Sequence, residues 1–374
     1  MGNLKVHDKL DIQAGGQVEV LDEFGSGGQG TVYKVSYNGK TYALKWYHPG
    51  VFKGKENDFY KNLENNISNG APTDAFLWPK AITKVYNDQF GYLMDVRPSG
   101  YEELTNFFVG GRKQKQARFK SFYALCTAAI NIIEAFRALH NNGYSYQDIN
   151  NGNFFINPEN GDVLICDNDN VSPFGTNLGI MGKQRWMAPE IVMGKNDPDK
   201  NSDRFSLAVV LFRLLFINHP LEGRYSTPPC MTKELEQKYY GSAPIFVYDP
   251  TTSENRPIPG TDHNLKLFWN VYPDYVKDAF IRAFSHDVMM KQKPRILEKE
   301  WMDIFIRLRT EIGRCPYCGQ ETFYTFKGSH DIPCMECGKK IPITNALQIK
   351  NQILPIFPLS LIHISEPTRP LYIS

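Results

Sequence analysis

A polar loop followed by a short apolar strand constrains this chain more than any other feature of its sequence. The loop is Tyr146-Gln-Asp-Ile-Asn-Asn-Gly-Asn153, and the strand Val163-Leu-Ile-Cys leads directly into Asp167. The side-chain oxygens of Asp148, Asn153 and Asp167 are of the kind that hard cations prefer. A loop rich in Asn and Asp is often no more than a turn, but a strand that delivers a carboxylate beside it favours a site for chemistry.

A glycine-rich segment lies near the N-terminus. Gly25-Ser-Gly-Gly-Gln-Gly-Thr-Val32 fits the pattern G-x-G-x-x-G-x-V, in which glycines let backbone amides approach phosphate oxygens. Alone this match is weak, because hairpin turns and dinucleotide-binding turns use similar glycines. The dinucleotide alternative requires a helix after the last glycine, whereas residues 31–35 are β-branched and aromatic and predict a strand. We therefore expect a glycine loop between two antiparallel strands.

A lysine that could contact phosphate follows on the next predicted strand. Tyr42-Ala-Leu-Lys45 ends fifteen residues beyond Gly30, and this spacing favours a phosphate contact over a surface charge. Such a lysine needs a carboxylate to hold it. Glu64, in a helix predicted over residues 53–67, is preferred to Glu56 because it lies deeper in that helix.

These motifs together resemble those of the protein kinase superfamily, over about residues 18–309. Tyr42–Lys45 is similar to the V-A-I-K strand, Tyr146–Asn153 to the catalytic loop H-R-D-x-x-x-x-N, and Ala188-Pro-Glu190 to the A-P-E motif. The resemblance implies an α+β, two-lobed kinase-like fold with a strand-rich N-lobe and a helical C-lobe. It also implies ATP as a substrate.

The resemblance implies a role for each matching residue. Asp148 would accept or orient the substrate hydroxyl, while Lys45, held by Glu64, would neutralise the α- and β-phosphates. Asn153 and Asp167 would bind Mg²⁺ or Mn²⁺. The residues implied at the nucleotide are Gly25, Gly27, Gly28, Gly30, Val32, Ala43, Lys45, the gatekeeper Met94, Asp95 and Arg97.

Two further pairs are implied as structural supports. Glu190 of the A-P-E motif is expected to pair with Arg295, and Asp203 is expected to anchor the backbone of the catalytic loop from a buried helix.

The sequence departs from the family pattern at several positions. Tyr146 and Gln147 replace the usual His and Arg, so control by activation-loop phosphorylation is not expected, and Asn168 replaces the Phe of D-F-G. Asn150 stands where serine/threonine kinases often carry a lysine. We hypothesise that Lys183 reaches into the site and supplies that charge; the alternative is an ordinary surface lysine.

Four cysteines near the C-terminus have the spacing of a metal site. Cys315-Pro-Tyr-Cys318 and Cys334-Met-Glu-Cys337 predict a small zinc ribbon with a structural Zn²⁺, because four thiolates leave no open position for water. A redox-active C-x-x-C pair is the alternative. The zinc would fold a small module that has little hydrophobic core of its own, and the module would serve to dock a partner.

These motifs divide the chain into segments. We expect an N-terminal extension over residues 1–17, a kinase domain over 18–309 with its N-lobe at 18–96 and its C-lobe at 97–309, and the ribbon over 310–345. Residues 346–358 would be a truncated linker or domain start. Residues 359–374 resemble the translation of a sequencing adapter, so the true C-terminus is expected to lie beyond about residue 358.

Composition excludes several classes of protein. A net charge of +2 gives no general attraction to nucleic acid or to an anionic membrane, and the basic cluster over residues 110–120 is expected to be a solvated surface. Residues 1–10 do not resemble a signal peptide, and the apolar stretch over residues 207–217 is too short to span a bilayer. Free cysteines at positions 126, 166 and 230 indicate a reducing, cytoplasmic environment.

Three functions remain open on the sequence. The preferred one is a Ser/Thr protein kinase; a small-molecule kinase of the antibiotic-phosphotransferase type, suggested by Asn151-Gly-Asn153, and a pseudokinase scaffold are the alternatives. The ribbon and Asn168 also resemble features of bacterial kinases that work with von Willebrand-type and phosphatase partners.

Overall fold

Alternating apolar and polar residues at the start of the chain build a curled antiparallel sheet. The computed structural model describes residues 4–109, 116–324, 331–342, 345–349 and 352–356. The sheet runs in the order β1-β2-β3-β4-β6-β5. Its strands are β1 (Lys9–Asp11), β2 (Gln17–Ser26), β3 (Gly30–Tyr37), β4 (Lys40–Tyr47), β5 (Ala81–Ile82) and β6 (Gly91–Met94). The predicted glycine loop joins β2 to β3, and Lys45 lies on β4.

One helix, α1 (Glu56–Asn69), lies against this sheet. It begins three residues later than predicted, because Lys53 has a left-handed backbone with φ of 52° that no helix interior accepts. Phe59 and Leu63, one helical turn apart, bury one side of α1 in the N-lobe core. Asn62 and Asn66, also one turn apart, are buried on an adjacent face. The orientation of α1 about its axis is thereby set.

The C-lobe is helical, as predicted. Its helices are α2 (Leu104–Phe108), α3 (Phe122–Asn141), α4 (Pro189–Val192), α5 (Lys200–Phe216), α6 (Lys233–Gln237), α7 (His263–Val271), α8 (Asp274–Ala283), α9 (His286–Met289) and α10 (Glu298–Thr310). A 3₁₀ turn covers Asn168–Asn170 and a π-helical turn covers Lys238–Ser242.

The core of this lobe forms where α3 packs against α5 and α10. Helix α3 begins after Ser121, whose hydroxyl accepts a hydrogen bond from the Ala124 amide at 3.0 Å, and it ends just before Gly143. By length and hydropathy α3 could cross a membrane, but most of it is buried, as is usual for the core helix of a globular domain.

Short strands frame the catalytic loop. The strands β7 (Glu102–Glu103), β9 (Phe154–Ile156) and β10 (Val163–Ile165) form one sheet in the order β10-β9-β7. A second pair joins β8 (Tyr144–Ser145) to β11 (Ser172–Pro173). Because β8 leads into the loop and β10 leads into Asp167, these small sheets bring both segments to one place.

Two short hairpins carry the cysteines, and a third hairpin follows them. They pair β12 (Ile312–Arg314) with β13 (Glu321–Phe323), β14 (Asp331–Pro333) with β15 (Lys340–Pro342), and β16 (Asn345–Ile349) with β17 (Gln352–Ile356). The first hairpin packs on the C-lobe, where the ring of Phe323 lies 5.2 Å from that of Phe122 and 5.4 Å from that of Tyr272. The adapter-like segment over residues 359–374 lies outside the described residues.

Candidate active site

A buried aspartate of α5 holds the catalytic loop in place. Asp203 accepts hydrogen bonds from the backbone amides of Tyr146 at 2.7 Å and Gln147 at 2.9 Å. This is the anchoring role expected of Asp203. The Tyr146 hydroxyl in turn donates to the Cys166 carbonyl, so the loop is tied to the segment that carries Asp167.

The polar side chains of the loop converge on Asp148. The side-chain amide of Asn150 donates to the Asp148 carboxylate at 3.1 Å, and the side-chain amide of Asn153 donates to the Asp148 carbonyl at 2.9 Å. The Cys166 amide donates to the Asn153 carbonyl at 2.9 Å, which places Asp167 beside the loop. Burial raises the pKa of Asp148 to about 6, with a further contribution from the charge of Asp167.

Lys45 reaches this group from the N-lobe. Its Nζ lies 3.3 Å from Asp167 Oδ1 and 3.1 Å from Oε1 of Gln29, the residue before the last glycine of the loop. Burial alone would lower the pKa of Lys45, but the carboxylates of Asp167 and Asp169 raise it above its usual value. Lys45 therefore stays charged where phosphate oxygens would lie.

Glu64 is not the partner of Lys45, contrary to the prediction. Its carboxylate accepts a hydrogen bond from Gln13, at the outer side of the N-lobe. A residue turns about 100° around a helix, so Glu64 lies about 200° from Asn62. Burial of Phe59 and Leu63 therefore points the asparagines, and not Glu64, toward the site. The competitor Glu56 bonds to the Gly54 amide instead.

The carboxylate that does hold Lys45 belongs to Asp169, which the sequence reading missed. Lys45 Nζ lies 2.9 Å from Asp169 Oδ2, and the hydroxyls of Tyr47 and Tyr92 donate to Asp169 at 2.6 and 3.3 Å. Burial and the charge of Asp169 hold the pKa values of both tyrosines well above the usual range, so both are neutral donors. The sequence offered one sign of this pocket: Tyr47 lies two residues after Lys45 and so on the same face of the strand, where its hydroxyl can reach the same carboxylate.

The glycine loop divides into two kinds of position. A Cβ on Gly30 would lie 2.4 Å from the Trp46 carbonyl oxygen, so this glycine is required by the packing of β3 on β4. At Gly28 a Cβ would meet nothing within 4 Å. Gly25 pairs with Val32 across β2 and β3, and the tip at Gly27 and Gly28 is the part left open for a ligand.

An apolar wall stands next to this loop, as an adenine ring requires. Ala43 is paired with Met94 across β4 and β6, and both belong to the cluster that Val32 packs against. Beyond Met94, Asp95 makes an ion pair with Lys80 at 2.6 Å, and the Arg97 guanidinium lies 3.9 Å from the centre of the Phe155 ring.

The segment from Asp167 to Glu190, which the resemblance implies is the activation segment, is fixed to the C-lobe at its end. Arg295 donates to both oxygens of Glu190, at 2.9 and 2.7 Å, so the expected pair is present. Lys183 is exposed, and its Nζ donates to Asn151 Oδ1 of the catalytic loop at 3.1 Å. The fold thus brings Lys183 to the loop, and the further step into the site remains a hypothesis.

The four cysteines of the hairpins gather at one point. The Sγ atoms of Cys315, Cys318, Cys334 and Cys337 all lie within 4.8 Å of one another. Two Sγ pairs, Cys315 with Cys337 and Cys318 with Cys334, are 3.8 and 3.7 Å apart. A Zn–S bond of about 2.3 Å in a tetrahedron sets the S–S separation near about 3.8 Å, so this donor set fits Zn²⁺.

Comparison with known protein families shows to which family the chain belongs. A family model described as "Protein kinase domain" matches residues 18–240, which is more than half of the chain. The chain therefore belongs to the protein kinase family.

Similar curated proteins are protein kinases from eukaryotes. Two from Dictyostelium discoideum, each described as a "Probable serine/threonine-protein kinase", are 29% identical over 62% of this chain and 26% identical over 53% of it. "Stress-activated protein kinase alpha" of the same organism is 26% identical over 62%. The chain covers 23%, 18% and 35% of their respective lengths. These relatives give no support to a bacterial origin, which stays a prediction from sequence resemblance.

Proposed function

We propose that this chain transfers the γ-phosphate of ATP to serine or threonine hydroxyls of protein substrates. One observation carries the proposal: Lys45 of the N-lobe lies 3.3 Å from Asp167, while the Asn153 amide donates to the carbonyl of Asp148 at 2.9 Å. A positive charge for phosphate, two oxygen donors for a cation and a carboxylate for the hydroxyl thus meet between the lobes. Phosphoryl transfer depends mainly on such positioning and on electrostatic stabilisation.

Each residue has a distinct task in this proposal. Asp148 orients the substrate hydroxyl and takes its proton, which requires the ionised carboxylate. Lys45 neutralises the α- and β-phosphates, and Asn153 and Asp167 would hold Mg²⁺, or Mn²⁺ in its place. When bound, the ion supplies positive charge to the phosphate oxygens.

The test is transfer of labelled phosphate from ATP in the presence of Mg²⁺. We expect label on the protein itself or on a generic protein substrate, recovered as phosphoserine or phosphothreonine, and none with Asp148→Ala or Asp167→Ala. Nucleotide binding without transfer by the wild type would favour the scaffold function. Transfer to an aminoglycoside but not to protein would favour the small-molecule kinase, against which the anchored Ala188-Pro-Glu190 segment argues.

Control of the enzyme is proposed to be atypical. Gln147 replaces the arginine that would bind a phosphorylated residue, and its amide donates to Ser172 Oγ at 2.7 Å and to the Thr176 carbonyl at 2.8 Å. These neutral bonds support an activation segment that is held without phosphorylation.

The cysteine cluster is proposed to be a structural zinc ribbon. The Gly319 amide donates to the Cys315 carbonyl at 2.8 Å and the Gly338 amide to the Cys334 carbonyl at 2.9 Å, so the two pairs form matching turns. A zinc-to-protein ratio near one, lost in a Cys315→Ser/Cys334→Ser variant, would support the proposal. A metal-free ribbon with an internal disulfide would overturn it.

We also propose a cytoplasmic location and partner proteins of the von Willebrand and phosphatase types, both of which rest on sequence resemblance and thiol content alone. Cell fractionation and co-purification of the tagged chain with a named candidate of each type test these proposals.

A further inference from the structure

The lysine of the proposed site is held by the segment that also carries the proposed metal ligand. Lys45 Nζ contacts Asp167 and both carboxylate oxygens of Asp169, the latter at 3.2 and 2.9 Å. The Lys45 side chain is 6% exposed and that of Asp169 is 1% exposed, whereas Asp167 is 37% exposed. Asp167 thus remains open to a ligand, while Asp169 is enclosed with the lysine.

The pocket around Asp169 is built for a carboxylate. Lys45 and the hydroxyls of Tyr47 and Tyr92 all point at it, and all three come from neighbouring strands of the N-lobe sheet. A buried carboxylate is tolerated only when it is paired and hydrogen-bonded in this way. Asp169 is therefore a built-in partner of Lys45.

Helix α1 contributes neutral groups at the place where a carboxylate was expected. Asn62 and Asn66 donate to the Val171 carbonyl at 2.8 and 2.9 Å, and Asn62 also reaches the Asp169 carbonyl at 3.4 Å. To bring Glu64 to Lys45 the helix would have to turn by about 160°, which would expose Phe59 and Leu63. The asparagine side chains of the helix therefore support the backbone of the segment that carries Asp167 and Asp169.

We propose that Asp169 is the positioning residue for Lys45, in place of a glutamate from α1. The inference rests on the proposed phosphotransfer function. Its consequence is that Lys45 and Asp167 are aligned by one segment of chain, so an outward movement of α1 does not by itself break the ion pair. Any control that works by moving this helix must then act through Asn62 and Asn66.

The kinetic test compares two matched amide substitutions. Asp169→Asn keeps the shape of the side chain and an acceptor for Tyr47, yet removes the charge that fixes Lys45. We expect kcat to fall about 100-fold, as misplaced reacting groups commonly cause, with KM for ATP changed far less because the adenine wall is untouched. The control Glu64→Gln is expected to leave both constants unchanged. Loss of kcat in Glu64→Gln, with Asp169→Asn as active as the wild type, would overturn the proposal.

A second measurement does not depend on catalysis. In a double-mutant cycle on the thermal midpoint, Lys45→Met and Asp169→Asn should be strongly non-additive, because each single change leaves a buried group without its partner. The shifts for Lys45→Met and Glu64→Gln should add. Additive shifts of the thermal midpoint for Lys45→Met and Asp169→Asn would overturn the inference, whether or not the wild type transfers phosphate. A wild type that transfers no phosphate would instead count against the proposed function.

Failure of Asp169→Asn to fold would not remove the test. Recovery of folded protein in Lys45→Met/Asp169→Asn would then support the pairing, because both buried partners are removed together. If Lys45→Met folded and the double variant did not, Asp169 would have a role other than holding the lysine.

Discussion

At the scale of single residues, two departures from the family pattern contact the catalytic loop. Asn150 stands where related serine/threonine kinases often carry a lysine, and it donates to the Asp148 carboxylate at 3.1 Å. Lys183 lies on the facing segment and donates to Asn151 at 3.1 Å. The hypothesis for Lys183 is that this exposed side chain turns from Asn151 toward the transferred phosphate.

Lys183→Ala is expected to reduce kcat about 10-fold, and Lys183→Glu by more, because a charge near the transferred phosphate is first removed and then reversed. Rates of phosphoryl transfer at saturating ATP measure this. Lys195→Ala, a lysine change outside the site, is the control. Unchanged transfer in both Lys183 variants would leave Lys183 as a surface lysine.

Gln147 allows a second prediction at this scale. Gln147→Ala removes the donor to the buried hydroxyls of Ser145 and Ser172 and one of the two donors to the Thr176 carbonyl, which keeps its bond from Ser172 Oγ. The free energy of unfolding should therefore fall by about 1–3 kcal/mol. Faster proteolysis within the activation segment should accompany a lower kcat.

The matching experiment on control is phosphatase treatment of the wild type. We expect full activity afterwards, because the tether to Gln147 involves no phosphate. Abolished activity that returns after rephosphorylation would contradict this account of the activation segment.

At the scale of elements, helices α3, α5 and α10 are joined behind the catalytic loop by a buried polar group. His140 of α3 lies 3.1 Å from Asp203 of α5 and 2.8 Å from Glu298 of α10, and Arg204 also binds Glu298, at 2.7 Å. Burial alone would lower the pKa of His140, but its hydrogen bonds to Asp203 and Glu298 raise it. Burial alone would raise the pKa of Glu298, but its hydrogen bonds with His140 and Arg204 lower that pKa to about 2.

These shifts predict how stability depends on pH. A histidine with a raised pKa in the folded state contributes stability in full below its unfolded pKa of about 6.5 and loses it as pH rises through the folded value. Glu298→Gln should therefore lower the free energy of unfolding by about 3 kcal/mol at pH 6, and by less at pH 9. Denaturant unfolding at both pH values measures this, with Asp303→Asn at an exposed position of α10 as the control. A difference independent of pH would show that His140 is neutral in the folded protein.

At the scale of the whole molecule, the proposed zinc ribbon shares a core with the C-lobe. Phe323 lies in the main hydrophobic cluster beside Phe122 and Tyr272. The Phe122 amide also donates to the Glu321 carboxylate at 2.6 Å. Folding of the first hairpin therefore completes one side of the kinase domain.

Removal of zinc by a chelator is expected to destabilise the kinase domain as well as the ribbon. Loss of the Phe323 contact costs about 2 kcal/mol, which lowers the thermal midpoint by about 5 °C. Cys315→Ser should have the same effect and Cys230→Ser, at an exposed cysteine outside the cluster, should not. An unchanged midpoint after metal removal would mean that the hairpin holds its place without zinc.

What the sequence determined by itself lies within contiguous segments. The loop from Tyr146 to Asn153, the strand that ends in Asp167 and the two C-x-x-C turns each contain both the donor atoms and the local backbone that presents them. The spacing of the cysteines therefore predicted the ribbon, and the resemblance of the other motifs to those of protein kinases implied the fold.

Only the tertiary structure decided which carboxylate meets Lys45. The rotation of α1 is set by Phe59 and Leu63 in the N-lobe core, and a difference of about 200° around the helix separates Glu64 from Asn62. Sequence spacing places a residue along a helix, but burial of the apolar side selects the face that points inward. The same packing enclosed Asp169 with Lys45, Tyr47 and Tyr92, a contact between segments more than 70 residues apart.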